Sequence, residues 1–234
     1  MLKFIISITL LFAFIYSYAQ SIDEPDNPIT RKERKKNSED YIVDLKNGAL
    51  LVRLHDRKQL RVLIEKGIAE EKALRILKEQ ESKNQALIDA FHSQFSFCPF
   101  YFFYTSETGY VKRREFDKVN FINREMEIDS SIHFNYERYL IAEITSLEND
   151  TLRYRPQVEY VETENGLERR SEYRPLANND YEALVMRSPE FVQLYRPFPF
   201  HVRTYSSLPL ERNYYNVVHL MNKQLRRYFK SVVN

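Results

Sequence analysis

The stretch FCPFYFFY, Phe97–Tyr104, constrains this chain more than any other. Six of its eight residues are aromatic, and another is the chain's sole cysteine, Cys98. Aromatic side chains favour strands, and the run is too short for a helix of ordinary length. A strand with one face in water alternates apolar and polar residues. This one does not alternate, so it must be covered on both faces, between layers of a folded body. Pro99 and the polar segment TSETG, Thr105–Gly109, punctuate its ends.

Upstream, LKNGALLVRL joins the turn signal Asn47-Gly48 to Leu50, Leu51, Val52 and Leu54. It predicts a strand over 49–55. Asp56 is placed to cap a helical run over 57–95, with apolar residues at Leu60, Leu63, Ile64, Ile68, Leu74, Leu77, Leu87, Ile88, Phe91 and Phe95. Gly67 is able to divide that run, and the polar segment 78–86, KEQESKNQA, is expected to face solvent or a thin layer of core. The strand–helix–strand order predicts a parallel pair joined by a crossover.

Further along, 110–123 predicts a short helix before a strand near 118–123, and RYLIAEITSL predicts a strand over 138–147. Asn165-Gly166 is a type I′ turn signal and predicts a projecting hairpin at about 156–174. Counting outward from it pairs Glu162 with Arg169 and Val158 with Tyr173, and leaves Glu159 facing Glu172. A second hairpin is expected around RSPE, with strands near 182–187 and 190–195. FPFHVRTY, 198–205, alternates like a half-buried strand. The C-terminal segment carries Tyr214, Val217, Val218, Met221, Leu225 and Phe229 at helical spacing. Tyr-Arg-Pro recurs at 154–156, 173–175 and 195–197, with unequal spacing, and reads as strand ends stopped by proline rather than as a repeat. Together these imply an α/β or α+β fold: a mixed central sheet, a long N-terminal helical segment and a C-terminal packing helix.

The first residues address the compartment. Lys3, the apolar run FIISITLLFAFI, and Ser17 and Ala19 before Gln20 match a secretory signal, and the run is too short to span a bilayer. We expect 1–19 to be removed, 20–40 to be a disordered polar linker, and 41–234 to be a single α/β domain. Loss of Lys3 takes the formal net charge from +2 to +1. Near-neutrality after export gives no electrostatic case for nucleic acid, and the basic run RKERKK, 31–36, reads as a solvated linker. The expected location is periplasmic or extracellular, with no transmembrane span after removal of the signal.

LKNGALLVRL, FCPFYFFY, FVQLYRPFPFHVR and the signal end YAQ together resemble a set of uncharacterised exported proteins of Bacteroidetes bacteria. The resemblance covers most of the mature chain. It implies export and a shared fold, and carries over no catalytic residue.

Several chemistries are disfavoured. Only four glycines occur, at 48, 67, 109 and 166, so no phosphate-cradling loop exists. The five histidines are scattered, without zinc spacing, and no metal or cofactor is expected. A lone cysteine in an apolar strand behaves as a small hydrophobe rather than a nucleophile. The acids Glu159, Glu162, Glu164, Glu168 and Glu172 fall on the hairpin, where no cleft would tune a glycosidase pair. What remains is the loop beyond the aromatic strand. Ligands of open α/β sheets sit past the carboxyl ends of parallel strands. There Thr105, Ser106 and Glu107 offer polar groups, and Lys112 and Arg113 could neutralise an anion. His201, Arg203 and Tyr205 share one strand face and form a second candidate set. The expected function is binding of a cell-envelope partner or polar ligand without catalysis. The rival is an enzyme acting on a polar or anionic envelope substrate at the 105–114 loop with His201.

Overall fold

The structure is a computed structural model describing residues 30–58, 62, 64, 66, 70–148, 157–163, 166–172, 182–204 and 212–233. Residues Arg34–Asn234 form one unit; of the other, Met1–Glu33, only the last four residues are described. The expected signal at 1–19 and linker residues 20–29 lie outside the described residues, as do Gly67 and Tyr205.

A mixed six-stranded sheet in the order β3-β2-β1-β4-β7-β8 organises the fold. Its strands are β1 (Ala49–Leu54), β2 (Phe100–Tyr104), β3 (Phe121–Ile122), β4 (Tyr139–Ser146), β7 (Glu182–Arg187) and β8 (His201–Arg203). β5 (Gln157–Thr163) and β6 (Gly166–Glu172) form a separate two-stranded sheet. The helices are α1 (Arg31–Asn47), α2 (Glu70–Gln94), the short α3 (Thr108–Lys112) and α4 (Tyr214–Val233). This is an α+β arrangement, within the fold class the sequence implies. β1 pairs in parallel with β2 on one side and β4 on the other; the outer pairings, β2–β3, β4–β7 and β7–β8, are antiparallel. Among the described residues no helix is long and apolar enough to cross a membrane.

The aromatic strand is interior on both sides. On one face Phe102 joins Leu50, Val52, Leu140, Ala142, Leu184 and Met186 beneath α1, α2 and α4, with Phe91 of α2 edge-on to Phe102 at 5.9 Å. On the other face Phe103 joins Leu51, Phe121, Phe134, Tyr139 and Ile141 beneath the segment that runs from β2 to β4. Tyr101 meets Phe134 edge-on at 5.3 Å there. Cys98 is buried, and desolvation pushes its thiol up to about 12, so it stays protonated.

Three local expectations are corrected. The stretch read as disordered through residue 40 is helical from Arg31 onward. The cause is a capping box: Thr30 Oγ1 accepts from the Glu33 N–H at 3.2 Å, while the Glu33 carboxylate accepts from the Thr30 N–H at 2.8 Å. Ser38, Ile42 and Leu45 then bury one stripe of the helix. The β5–β6 register is offset by two residues from the Asn165-Gly166 count: Thr163 pairs with Gly166, and Glu159 lies opposite Arg170 instead of Glu172. The strand expected over 190–195 reduces to one bridge, Arg187–Gln193, and β7 takes β8 as its outer neighbour. Polar 78–86 faces solvent over a thin layer of core, as expected, with Asn84, 5% exposed, as its buried residue.

Gly48 lies where α1 hands over to β1, and its role is space rather than a special dihedral. A Cβ there would sit 2.8 Å from the Asp44 carbonyl oxygen and closer still to that of Arg138. The Ala49 N–H meanwhile donates to Arg138 O at 3.1 Å. Both obstacles are backbone and neither can rotate away. Gly48→Ala is therefore expected to destabilise the fold by about 2–3 kcal/mol in chemical denaturation; an unchanged midpoint would refute this close approach.

Candidate functional site

Three strands, ALLVRL, YLIAEITS and EALVMR, each carry one charged residue within or closing an apolar run: Arg53, Glu143 and Arg187. The register sets Arg53 level with Glu143, and Arg187 level with Ile141, whose side shares Glu143's face. Glu143, 1% exposed, is ion-paired with Arg53 and with Arg187. Arg187 also donates to Glu148 at 2.6 Å and to the Phe191 carbonyl at 2.9 Å. Burial works against its charged form, but Glu148 and Glu143 outweigh this and raise its pKa further. Phe191, held at φ 65, presents its ring to Arg53 and to Lys112, each 5.3 Å from the centroid. The buried Nε of Arg53 has no hydrogen-bond acceptor among the described residues. Removing Glu143 would leave the partly buried Arg53 guanidinium without its carboxylate partner and Arg187 with Glu148 alone. Glu143→Ala should cost about 3 kcal/mol in urea unfolding, and Glu143→Gln less; a loss under about 1 kcal/mol for the alanine variant would exclude this clamp as structural.

Beyond the carboxyl ends of β1 and β4 lies a cavity of about 90 Å³. β1 pairs with β2, reached through α2, on one side and with the later β4 on the other. This is the strand-order reversal at which open sheets form crevices. Arg53, His55 and Arg57 contribute from β1 and its exit, and Gln80, Lys83 and Asn84 from α2. Ile144, Glu182 and Tyr214 close it from β4, β7 and α4. The polar part of α2 builds the wall. Asn84 donates to the His55 carbonyl at 2.8 Å, Gln80 donates to Asn84 Oδ1 at 3.1 Å, and Arg57 Nε donates to Gln80 Oε1 at 3.3 Å. His55 Nε2 lies 3.1 Å from Ile144 O, which ties the ends of β1 and β4 together. Burial and the neighbouring Glu182 push the Tyr214 phenol up to about 12, so it remains a donor. Arg57 holds a left-handed backbone at φ 48.

A larger depression of about 420 Å³ is lined entirely from 116–135. Its walls come from one local segment, whereas the smaller cavity draws on five elements that the fold brings together from distant parts of the chain.

The residues singled out from sequence fall in separate places. Thr105–Glu107 form a 3₁₀ turn directly beyond β2. Thr105 Oγ1 donates to Asp56 Oδ1 at 2.9 Å, and the Ser106 N–H donates to Asp56 Oδ2 at 3.3 Å. Partial burial acts to raise the Asp56 carboxyl, but hydrogen bonds from Ser106 and Thr105 outweigh it and hold the group below the usual range. These hydroxyls thus fasten two loops. Glu107 accepts from the Asn120 N–H at 3.5 Å, and Arg113 pairs with Glu115 at 3.1 Å. Lys112 alone of this loop's candidates reaches the charged cluster, through Phe191.

His201 and Arg203 lie on β8, four strand positions from β2, about 19 Å away at ordinary strand spacing. The two candidate sets therefore do not converge. The register sets His201 level with Val185 and Val185 level with Glu143, so the imidazole's strand lies about 10 Å from the nearest buried carboxylate's strand. Burial, Arg203 and Arg196 push His201 down to about 4. Among the described residues no group of three His, Cys, Asp or Glu side chains is placed to hold a metal ion.

Family models, curated proteins and solved structures offer no match to this chain. The reading of the site rests on its geometry.

The neutral His201 makes stability pH-dependent. Its unfolded imidazole protonates near 6.5 and its folded one at about 4, so the stabilisation is complete above 6.5 and fades as pH falls towards 4. Allowing for solvent screening of a half-buried group, the wild type should lose about 1 kcal/mol more than His201→Gln between pH 7 and pH 4.5. Parallel pH–denaturation curves would refute the assignment.

Proposed function

We propose that this chain is a binding protein that works outside the cytoplasm and receives a small polar ligand in the cavity beyond β1 and β4. The observation that carries the reading is that cavity's place. It lies at the strand-order reversal of the sheet, where backbone ends and side chains from five elements converge. The signal-like N-terminus supports export.

Binding is favoured over turnover by the state of the reactive groups. Cys98 is buried with its thiol raised to about 12, His201 is held neutral beside two arginines, and Asp56 is engaged by the 105–106 turn. A general base needs an orienting partner and access to substrate. Inside the cavity, His55 is engaged with the Ile144 carbonyl and Tyr214 stays protonated.

Titration of the full chain with neutral and charged polar probes, followed by backbone amide NMR shifts, tests this reading. Shifts should gather at His55, Arg57, Asn84 and Tyr214, and Gln80→Trp, which fills the cavity, should abolish them without changing the fold. Shifts gathering instead along 116–135 would move the site to the larger depression and end the proposal.

A further inference from the structure

We infer that the cavity beyond β1 and β4 selects an oxyanion, a phosphate or carboxylate group, with Arg57 and Lys83 as its principal grips. The inference rests on that cavity being the ligand site and names the chemistry of its occupant.

Size sets the first bound. At about 90 Å³ the cavity is several times the ~10–15 Å³ that one water needs, which is room for a charged head group.

Charge sets the second. Among the described residues Arg57 and Lys83 bring positive charge to the cavity against one acid, Glu182; Arg53 also lines it, but its guanidinium lies on the sheet's other face, with Glu143 and over Phe191. The two cations are not equally available. Lys83 meets Glu79 at 3.1 Å, but that pair is between exposed side chains on one helix face, where water screens the attraction. Arg57 has a neutral partner, Gln80, and no carboxylate among the described residues pairs with it. Gln80 is fixed in turn by Asn84, so the Arg57 guanidinium is oriented without being neutralised. A guanidinium held at one nitrogen keeps its other donors for a planar or tetrahedral oxyanion.

Backbone and donors supply the third. A non-glycine residue at positive φ is uncommon and tends to persist where a function uses it. Arg57, at φ 48, is the described residue with such a backbone on this rim. Tyr214, whose hydroxyl stays protonated, lines the cavity from α4 as a neutral donor. A carboxylate ligand and a phosphate share this recognition, and only the count of oxygens differs.

The test uses the full chain at low ionic strength, with inorganic phosphate, acetate, glycerol 3-phosphate and glycerol as probes. Calorimetry gives affinity and amide NMR gives location. Phosphate or acetate should bind with shifts at His55, Arg57 and Asn84, and glycerol should not. Each of Arg57→Gln and Lys83→Gln should weaken anion binding about tenfold, as expected for loss of one charge-assisted hydrogen bond. Tighter binding of glycerol 3-phosphate than of phosphate identifies a head group of a larger molecule, and equal binding identifies the free ion; either supports the inference. No anion binding up to about 10 mM, or anion binding that survives both substitutions, overturns it. If glycerol moves the cavity amides while the anions do not, the anion inference falls and the site stands. If no probe moves them, both fall.

Discussion

The parallel pairing of β1 with β2 and β4 is the constraint on which the rest depends. β1 is six residues long, and five of them are buried. Its backbone is hydrogen-bonded on both edges and its side chains are covered on both faces. A strand in that position tolerates only apolar side chains or charges that are fully matched. It also has to be entered from α1 without bulk, and Gly48 meets that need where the chain passes the Arg138 carbonyl.

The same pairing creates the polar features. Parallel neighbours finish at the same sheet edge, so the exits of β1, β2 and β4 lie side by side. Along that edge Asp56 ties the exit of β1 to the 105–106 turn, and His55 ties it to β4. The Glu143 clamp joins β1, β4 and β7 a short way inside. Together they brace the sheet edge that carries the cavity, whose Lys83 and Gln80 stand on α2 and whose Arg57 lies in the irregular exit of β1.

The elements with strong periodicity were legible. The aromatic strand, the strand at 138–147 and the C-terminal stripe of Val217, Val218, Met221 and Leu225 appear within one or two residues of where spacing puts them. α1 was less legible because its mean polarity masks a short stripe, Ser38, Ile42 and Leu45, and its start depends on the local Thr30–Glu33 capping box. In the polar part of α2 the burial of Asn84 has no sequence signal: an asparagine satisfied by a distant backbone carbonyl is indistinguishable in sequence from a solvated one. The site was less legible. Thr105 and Ser106 pointed to the right sheet edge, but their partner there is Asp56. The available signal for Arg53, Glu143 and Arg187 is an isolated charge within or closing an apolar run in each of three strands, one acid against two bases.

What the sequence determined by itself is local: which segments are apolar at period two or near three and a half, and that Phe97–Tyr104 must be covered on both sides. Those follow from the hydrophobic effect acting on neighbours along the chain. Tertiary structure alone decided that β4 inserts beside β1, that Glu143 meets two arginines, and that Arg57 and Lys83 line one cavity with Tyr214. Contacts between residues 44 and 90 positions apart, as in the Glu143 pairs, depend on strand order and register, and no local pattern encodes either.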